Sequence, residues 1–288
     1  MKKKIQLLYN NYSLENHVAN NLKNVTYRTL LLPLFVIFLI SLFLIVYGGY
    51  TVDSYAKIQK NLFLYINNGL SKHPNLQFNI TQLGDVIIFL PFFSFLIICA
   101  PTFWRTLLNS LMLSSVSSFI LKKIFSMPRP AAIFDNESFV IVGRGLFGNT
   151  SLPSGHSIAT FTIITVFLLA FKPKPIKARI LWFVFFLSSG IFIVFTRVGV
   201  GAHYPIDVMV GSAIGSIAAI FGVFLNRKIS LWKDLRNINF YPIYLLIILL
   251  WAAFLIKKII TANLLIFYFS LFSLLITFYL IATIYAKK

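Results

Sequence analysis

The chain has few charged residues, and very few of them are acidic. Only 11% of its 288 residues are charged, whereas 58% are hydrophobic. Soluble domains carry about twice that charged fraction, so the composition argues against a soluble globular protein. Several stretches exceed the roughly 20 apolar residues that a helix needs to cross a bilayer. The sequence therefore predicts an integral membrane protein.

The chain also has almost no cysteine. Its single cysteine, Cys99, lies in an apolar stretch and cannot form an intramolecular disulfide, so cysteine content does not indicate an oxidising compartment. The first apolar stretch, which ends near residues 46–50, has no small-x-small cleavage site after it. We interpret it as a retained helix rather than a removed signal peptide.

Basic residues outnumber acidic residues 26 to 7, which gives a formal net charge of +19. A charge of this size can indicate a nucleic-acid partner. Here the Lys and Arg residues cluster in short gaps between apolar stretches, and no separate basic domain is present. That distribution is typical of membrane proteins, so we expect a membrane and not nucleic acid as the partner.

The apolar pattern predicts an all-α fold with eight helices. We place them roughly at residues 28–50, 84–101, 103–123, 156–172, 179–197, 207–226, 240–257 and 262–284. We expect residues 51–83 to form an outer-face insert with a short amphipathic helix, on the membrane or over the site. The predicted domains are an N-terminal cytoplasmic segment (1–27), a six-helix core (28–226) and two additional C-terminal transmembrane helices (227–288).

The positive-inside rule gives an orientation. If the N-terminus is cytoplasmic, sixteen of the 26 basic residues fall in inner segments and ten in outer segments. Three of those ten are Lys122, Arg129 and Arg197, which belong to the signatures described next, whereas Lys257 and Lys258 run against the rule. We therefore predict that both termini are cytoplasmic and that the signatures face outward.

Three short polar signatures interrupt the apolar chain. They are Lys122 followed after six residues by Arg129-Pro130, then Pro153-Ser154-Gly155-His156, and then Arg197, His203 and Asp207 within residues 196–207. Each signature lies at the end of a predicted helix at the same membrane face. Unpaired polar groups at this depth are costly, so we expect all three to form one site.

The inventory of side chains suits a phosphate. Arg129 and Arg197 each offer a planar fork of donors to phosphate oxygens, and Lys122 adds a compact charge. Ser154 and Gly155 stand where a helix begins, and the first N–H groups of a helix bind anions. We therefore predict phosphate binding by Lys122, Arg129, Ser154, Gly155 and Arg197.

Two histidines are candidates for catalysis. Asp207 follows His203 by four residues, which on a helix puts both on one face; alternatively, Pro205 marks the first helical turn. A carboxylate on one imidazole nitrogen fixes the tautomer and leaves the other free to attack. His156 lacks such a carboxylate and suits a general acid and base. The alternative is that both histidines are structural hydrogen-bond partners, as polar residues in membranes often are.

The signatures resemble those of the type 2 phosphatidic acid phosphatase (PAP2) superfamily, which also contains the vanadium haloperoxidases. That pattern is K-x6-RP, PSGH and SR-x5-H-x3-D, and ten positions match, with Thr196 in place of the usual Ser. The resemblance implies a PAP2-like six-helix core followed by two added helices. It also implies that His203 is the nucleophile, that His156 is the acid and base, and that no metal or other cofactor is needed.

From this resemblance we expect a membrane lipid phosphatase that forms a phosphohistidine. Its substrate would be a phosphomonoester or diphosphate of an amphiphile, such as undecaprenyl diphosphate, phosphatidylglycerol phosphate, phosphatidate or a lipid A phosphate. We expect it in the inner (plasma) membrane of a bacterium, with the site on the periplasmic face. The alternatives are a lipid phosphotransferase that uses the same site and a non-catalytic lipid-binding or transport protein. The sequence leaves the oligomeric state open.

Overall fold

The structure is a computed structural model that describes residues 2–229 and 237–287, and these residues form thirteen α-helices. The helices are α1 (Lys2–Lys23), α2 (Leu31–Val46), α3 (Val52–Leu70), α4 (Pro74–Thr81), α5 (Val86–Phe89), α6 (Leu96–Cys99), α7 (Pro101–Phe125), α8 (Pro130–Ile133), α9 (Gly155–Ala170), α10 (Ile176–Gly199), α11 (Pro205–Lys228), α12 (Tyr241–Ala262) and α13 (Leu265–Ala286).

The all-α membrane fold predicted from the sequence is confirmed. Seven of the eight predicted helices are present, as α2, α7 and α9 to α13, with ends that differ by a few residues. In the part of the chain that the structure describes, six helices are long and apolar enough to cross a membrane, whereas α9 is shorter at 16 residues. The last two predicted helices correspond to the spans α12 and α13.

The predicted continuous helix over residues 84–101 is wrong. This stretch, called the broken segment below, consists of α5, a 3-10 turn at Leu90–Phe93 and α6, and the chain bends by 90° at its start, between Pro74–Gly84 and Val86–Phe93. Asp85 caps α5 by accepting a hydrogen bond from the Ile87 N–H at 3.0 Å. Pro91 has no N–H to give to a helix ladder. High hydropathy alone does not reveal these interruptions.

The helix pair α12 and α13 donates side-chain hydrogen bonds to three carbonyls of the broken segment, of which that of Pro91 also accepts from Ser94. Trp251 donates to the Ile87 carbonyl and Ser270 to the Ile88 carbonyl, each at 2.8 Å, and Ser273 donates to Pro91 at 2.8 Å. Backbone groups within a membrane need such partners because lipid offers none. The two added helices therefore stabilise an irregular backbone beside the core.

The helix α11 lies at the centre of the bundle and packs closely against α9 and α7. A Cβ at Gly211 would lie 2.7 Å from the Ser154 carbonyl oxygen, and one at Gly215 would collide with the backbone of Ile158. This Gly-xxx-Gly spacing allows helix backbones to approach each other in membranes. It also brings the start of α11 against the start of α9, where two of the three signatures lie.

The insert at residues 51–83 forms two helices, α3 and α4, rather than one short helix. The helix α3 buries Tyr55, Gln59, Phe63 and Asn67, which are spaced four residues apart and therefore lie along one face. This face packs against α10 and α11. Of the two predicted positions, on the membrane or over the site, the helix takes the second.

Replacement of Gly215 by alanine tests the close packing of α11 on α9. The added methyl group meets backbone atoms of Ile158, which cannot rotate away, so we expect a destabilisation of roughly 1–3 kcal/mol. The measurement is the thermal midpoint in detergent. Gly69→Ala is the matched control, because a Cβ there meets nothing within 4 Å. If the two variants unfold at the same temperature, the packing does not depend on Gly215.

Candidate active site

The three signatures meet at one end of the helix bundle. Lys122 lies in the last turn of α7, Arg129 immediately precedes α8, His156 is the second residue of α9, Arg197 lies in the last turn of α10, His203 lies between α10 and α11, and Asp207 is the third residue of α11. Arg129 and Asp207 both lie within 3.4 Å of the His203 ring, and Lys122, Gly155 and His156 line one cleft. The structure thus brings every predicted site residue into one region.

The carboxylate of Asp207 is fully buried and held by three donors. Tyr55 Oη donates to Oδ1 at 2.6 Å, and Ser151 Oγ donates to Oδ2 at 2.5 Å. The N–H of Tyr204 donates to Oδ2 at 2.9 Å. A buried carboxylate needs such hydrogen bonds to remain charged. These contacts fix the position of Asp207 from three separate parts of the chain.

His203 lies between Asp207 and Arg129. Its Nδ1 is 3.4 Å from Asp207 Oδ2, longer than a standard hydrogen bond, and its Nε2 is 3.2 Å from Arg129 Nη1. A guanidinium group can only donate, so Nε2 is the nitrogen that accepts and Nδ1 carries the proton. This tautomer directs the proton toward Asp207 and leaves the lone pair of Nε2 in the site.

Charge and burial keep His203 neutral. Burial lowers the pKa of His203 well below its ordinary value, and the positive charges of Arg129 and Arg197 lower it further. A neutral imidazole is the form that can attack phosphorus. Pro205 begins α11, so His203 precedes the helix and does not share a helical face with Asp207. Of the two arrangements considered from the sequence, Pro205 in the first helical turn is the one observed.

The three cations are held in place by different contacts. Arg129 Nη1 donates to the Ala202 carbonyl at 3.0 Å, and Arg197 Nη1 donates to Thr81 Oγ1 at 3.0 Å. The buried Nε–H of Arg197 has no acceptor among the described residues. The ammonium of Lys122 lies beside Gly155, where a Cβ would come within 3.4 Å of Nζ. Cations this close together with a spare donor suit an anionic ligand.

The start of α9 differs from the prediction in one respect. The N–H of Ser154 donates to the main-chain carbonyl of Asp207 at 3.0 Å, and its Oγ accepts from Ser157 Oγ at 2.9 Å. This N–H is therefore occupied and is not offered to a phosphate as the sequence suggested. The N–H groups of Gly155 and His156, in the first turn of α9, remain those that a helix start presents to an anion.

A cleft of about 590 Å³ opens beside His156. The helix α7 lines one side with Ser118, Phe119 and Lys122, and the broken segment lines the other from Gly84 to Ile87. A Cβ at Gly84 would lie 2.7 Å from the Cβ of His156, so only glycine allows the broken segment to approach this closely. Lys122 is the cation that lines the cleft, and the walls combine apolar side chains such as Ile87 and Phe119 with polar ones such as Asp85 and Ser118.

Sequence reasoning missed the contribution of α3. Besides the bond from Tyr55 to Asp207, Gln59 Oε1 accepts from the Ile206 N–H at 2.8 Å. Asn67 Nδ2 donates to the carbonyls of Val198 and Val140 at 3.1 and 2.9 Å. These contacts join residues 73 to 152 positions apart. The four-residue spacing of polar residues in an amphipathic insert was the available signal.

The comparisons with known proteins agree with this geometry. The family model described as the PAP2 superfamily matches residues 103–231, which contain all the predicted site residues. Bacitracin transport permease protein BcrC of Bacillus licheniformis is 28% identical over 190 residues, which cover 62% of this chain and 85% of that protein.

Two lipid A 1-phosphatases match a shorter part of the chain. The one from Rhizobium etli is 33% identical over 38% of this chain and 44% of its own length. The one from Rhizobium johnstonii is 33% identical over 36% of this chain and 39% of its own length. This chain therefore spans less than half the length of these two relatives. A solved structure, LpxE of Aquifex aeolicus, is 27% identical and covers 58% of this chain and 95% of its own, with a TM-score of 0.48.

The matches agree with the family resemblance seen in the signatures. The described residues include six helices long and apolar enough to cross a membrane, and the matched part of the chain is similar to the PAP2 superfamily and to lipid A 1-phosphatases.

Replacement of Tyr55 by phenylalanine tests whether α3 positions the site. The variant keeps the ring and removes one of the donors to a buried carboxylate, so we expect kcat to fall roughly tenfold or more, with KM little changed. The measurement is steady-state phosphate release. The matched control is Tyr65→Phe on the same helix, where the side chain is 79% exposed. An unchanged kcat in Tyr55→Phe, at equal thermal stability, would contradict a positioning role.

Proposed function

We propose that the chain is a PAP2-type enzyme that hydrolyses a lipid phosphate through a phosphohistidine; the PAP2 superfamily model matches residues 103–231. The observation that supports the proposal is that Lys122 and His156, two of the predicted site residues, line a cleft that also has apolar side chains. Lys122 and His156 lie at the polar end of the cleft, whereas Ile87 and Phe119 lie along its walls. An amphiphile with a terminal phosphate would place its phosphate at the polar end and its apolar tail along the walls.

The tail of the substrate would lie between α7 and the broken segment. Both elements belong to the membrane-embedded part of the chain, so a lipid can enter from the side without leaving the bilayer. The phosphate would sit at head-group depth, where Lys122, Arg129 and Arg197 surround it. Preorganised charges of this kind stabilise the equatorial oxygens of a transferring phosphoryl group.

The proposed reaction has two steps. The lone pair of His203 Nε2 attacks phosphorus, a P–N bond forms and the P–O bond to the lipid breaks, while His156 protonates the departing oxygen. Arg129, whose Nη1 contacts His203 Nε2, would turn to a phosphoryl oxygen. His156 then accepts a proton from water, the water oxygen attacks phosphorus, the P–N bond to His203 breaks and inorganic phosphate leaves. Asp207 holds the imidazole throughout.

The proposed substrates are lipids of the bacterial cell envelope. Two relatives are named lipid A 1-phosphatases, which supports a lipid phosphate as the substrate of this chain. Undecaprenyl diphosphate, phosphatidylglycerol phosphate, phosphatidate and lipid A phosphates share the required chemistry. We place the site on the periplasmic face of the inner membrane because the end of the bundle away from the site carries most of the basic residues.

One relative is named a transport permease, which favours transport as the second candidate function. Binding and transport alone need neither a nucleophile nor an acid. A phosphotransferase would need a second lipid as acceptor. Release of inorganic phosphate without an added acceptor distinguishes hydrolysis from both alternatives.

The dependence of activity on tail length tests the substrate class. A long-chain lipid phosphate is concentrated and oriented in the bilayer or micelle, and its tail fits the cleft, so its kcat/KM should greatly exceed that of glycerol phosphate. Diphosphate and monophosphate forms of one lipid should differ less, because the cations hold only the terminal phosphoryl group. Phosphate release in mixed micelles is the measurement. Equal kcat/KM values for substrates with long and short acyl chains would contradict the proposal that the substrate is a lipid.

Replacement of His203 by alanine tests the mechanism. We expect kcat to fall by several orders of magnitude, because removal of a nucleophile leaves only binding and electrostatic effects. The helices should remain folded by circular dichroism. His73→Ala is the control, since His73 is exposed and lies outside the signatures. Acid-labile radioactive phosphate should be trapped on the native protein and on the control but not on His203→Ala. Labelling of all three would exclude His203 as the phosphorylated residue.

A further inference from the structure

An apolar groove lies at the end of the bundle opposite the candidate site, and we name it the basal groove. It is formed by α2, α9, α10 and α11 and encloses about 500 Å³. Leu32, Phe161, Ile164, Leu168, Phe183 and Leu187 are among the apolar side chains that line it. Along α10 the groove is lined from Arg179 to Leu187, and Leu187 lies ten residues before Arg197, which corresponds to roughly 15 Å; none of the residues that line the groove lines the cleft. The groove is therefore separate from the cleft beside His156.

Three cations surround the mouth of the basal groove. Arg28 precedes α2, Lys172 follows α9, and Arg179 lies in the first turn of α10. Arg179 Nη2 donates to the Lys174 carbonyl at 3.0 Å, which holds the guanidinium at the end of the helix. No acidic side chain is among the described residues that line the groove. The mouth is complementary in charge to a phosphate.

One donor inside the basal groove lacks an acceptor. The indole N–H of Trp182 is buried and has no hydrogen-bond partner in the described ranges. Trp182 lies three residues beyond Arg179 on α10, which places it roughly 4.5 Å deeper. An unpaired buried N–H is unfavourable, and a ligand acceptor one helical turn below an anionic group would satisfy this donor.

We propose that the basal groove binds an anionic phospholipid. The head-group phosphate would lie among Arg28, Lys172 and Arg179, an ester carbonyl would accept from Trp182, and the acyl chains would fill the apolar part. A free phosphate ion would leave both Trp182 and the apolar walls without a partner. The helix α11 contributes Ser216 and Ile220 to the groove and Asp207 to the site, so a bound lipid stabilises the helix on which the site depends. Binding of such a lipid is independent of the reaction that the site catalyses.

Thermal unfolding in detergent with defined additives tests the proposal. Phosphatidylglycerol at saturating concentration should raise the midpoint of the native protein by about 5 °C, whereas phosphatidylcholine and inorganic phosphate should not. The triple variant Arg28→Gln, Lys172→Gln, Arg179→Gln should lose this rise. The matched control is Lys23→Gln, Lys174→Gln, Lys177→Gln, which removes three exposed charges at the same end of the bundle but none from the groove. It should keep the rise.

The single variant Trp182→Phe separates the ester contact from the charges. It keeps an aromatic ring and removes the N–H, so it should bind phosphatidylglycerol several-fold more weakly while its unfolding midpoint without lipid changes little. An equal response to phosphatidylcholine, or a rise with inorganic phosphate alone, would overturn the assignment of an anionic phospholipid. Loss of the rise in the control variant as well would show a general effect of surface charge and would also overturn it.

Discussion

The buried carboxylate of Asp207 is the constraint on which the site depends. It accepts from Tyr55 on α3, from Ser151 before α9 and from the N–H of Tyr204 before α11. A buried charge is strongly unfavourable without such partners, so these segments must come together for Asp207 to be accommodated. The same arrangement places Nδ1 of His203 next to the carboxylate. The position of the His203 imidazole therefore follows from the hydrogen bonds that the buried Asp207 carboxylate needs.

The second organising constraint is the backbone of the broken segment. The bend between α4 and α5 and the short turns that follow leave carbonyl groups outside any long helix, yet this segment forms one wall of the cleft. Side chains of α12 and α13 donate to three of these carbonyls. Irregular backbone persists within a membrane only where protein surrounds it. The added helix pair therefore permits a wall whose shape a regular helix could not provide.

Features that depend on nearby residues or on composition could be predicted from the sequence. Apolar stretches located α7 and α9 to α13, and the signatures predicted which residues would meet, although their catalytic roles stay predictions. The role of α3 was not predicted, because the partner of Tyr55 lies 152 positions away. The bend at residues 84–101 was missed because hydropathy does not distinguish a continuous helix from short turns. The occupied N–H of Ser154 also depends on a distant group, the carbonyl of Asp207.

The hydrogen bonds between α13 and the broken segment also determine the order in which parts of the structure can form during synthesis. Ile88 is translated 182 residues before Ser270, its partner, and ribosomes add roughly 5–20 residues per second. For roughly ten to forty seconds the core exists without the donors that stabilise one wall of its cleft. Water or the insertion machinery must satisfy those carbonyls in the meantime. The cleft therefore takes its final shape only when the C-terminal hairpin enters the membrane, so a chain truncated before α12 would carry every signature residue without a finished cleft.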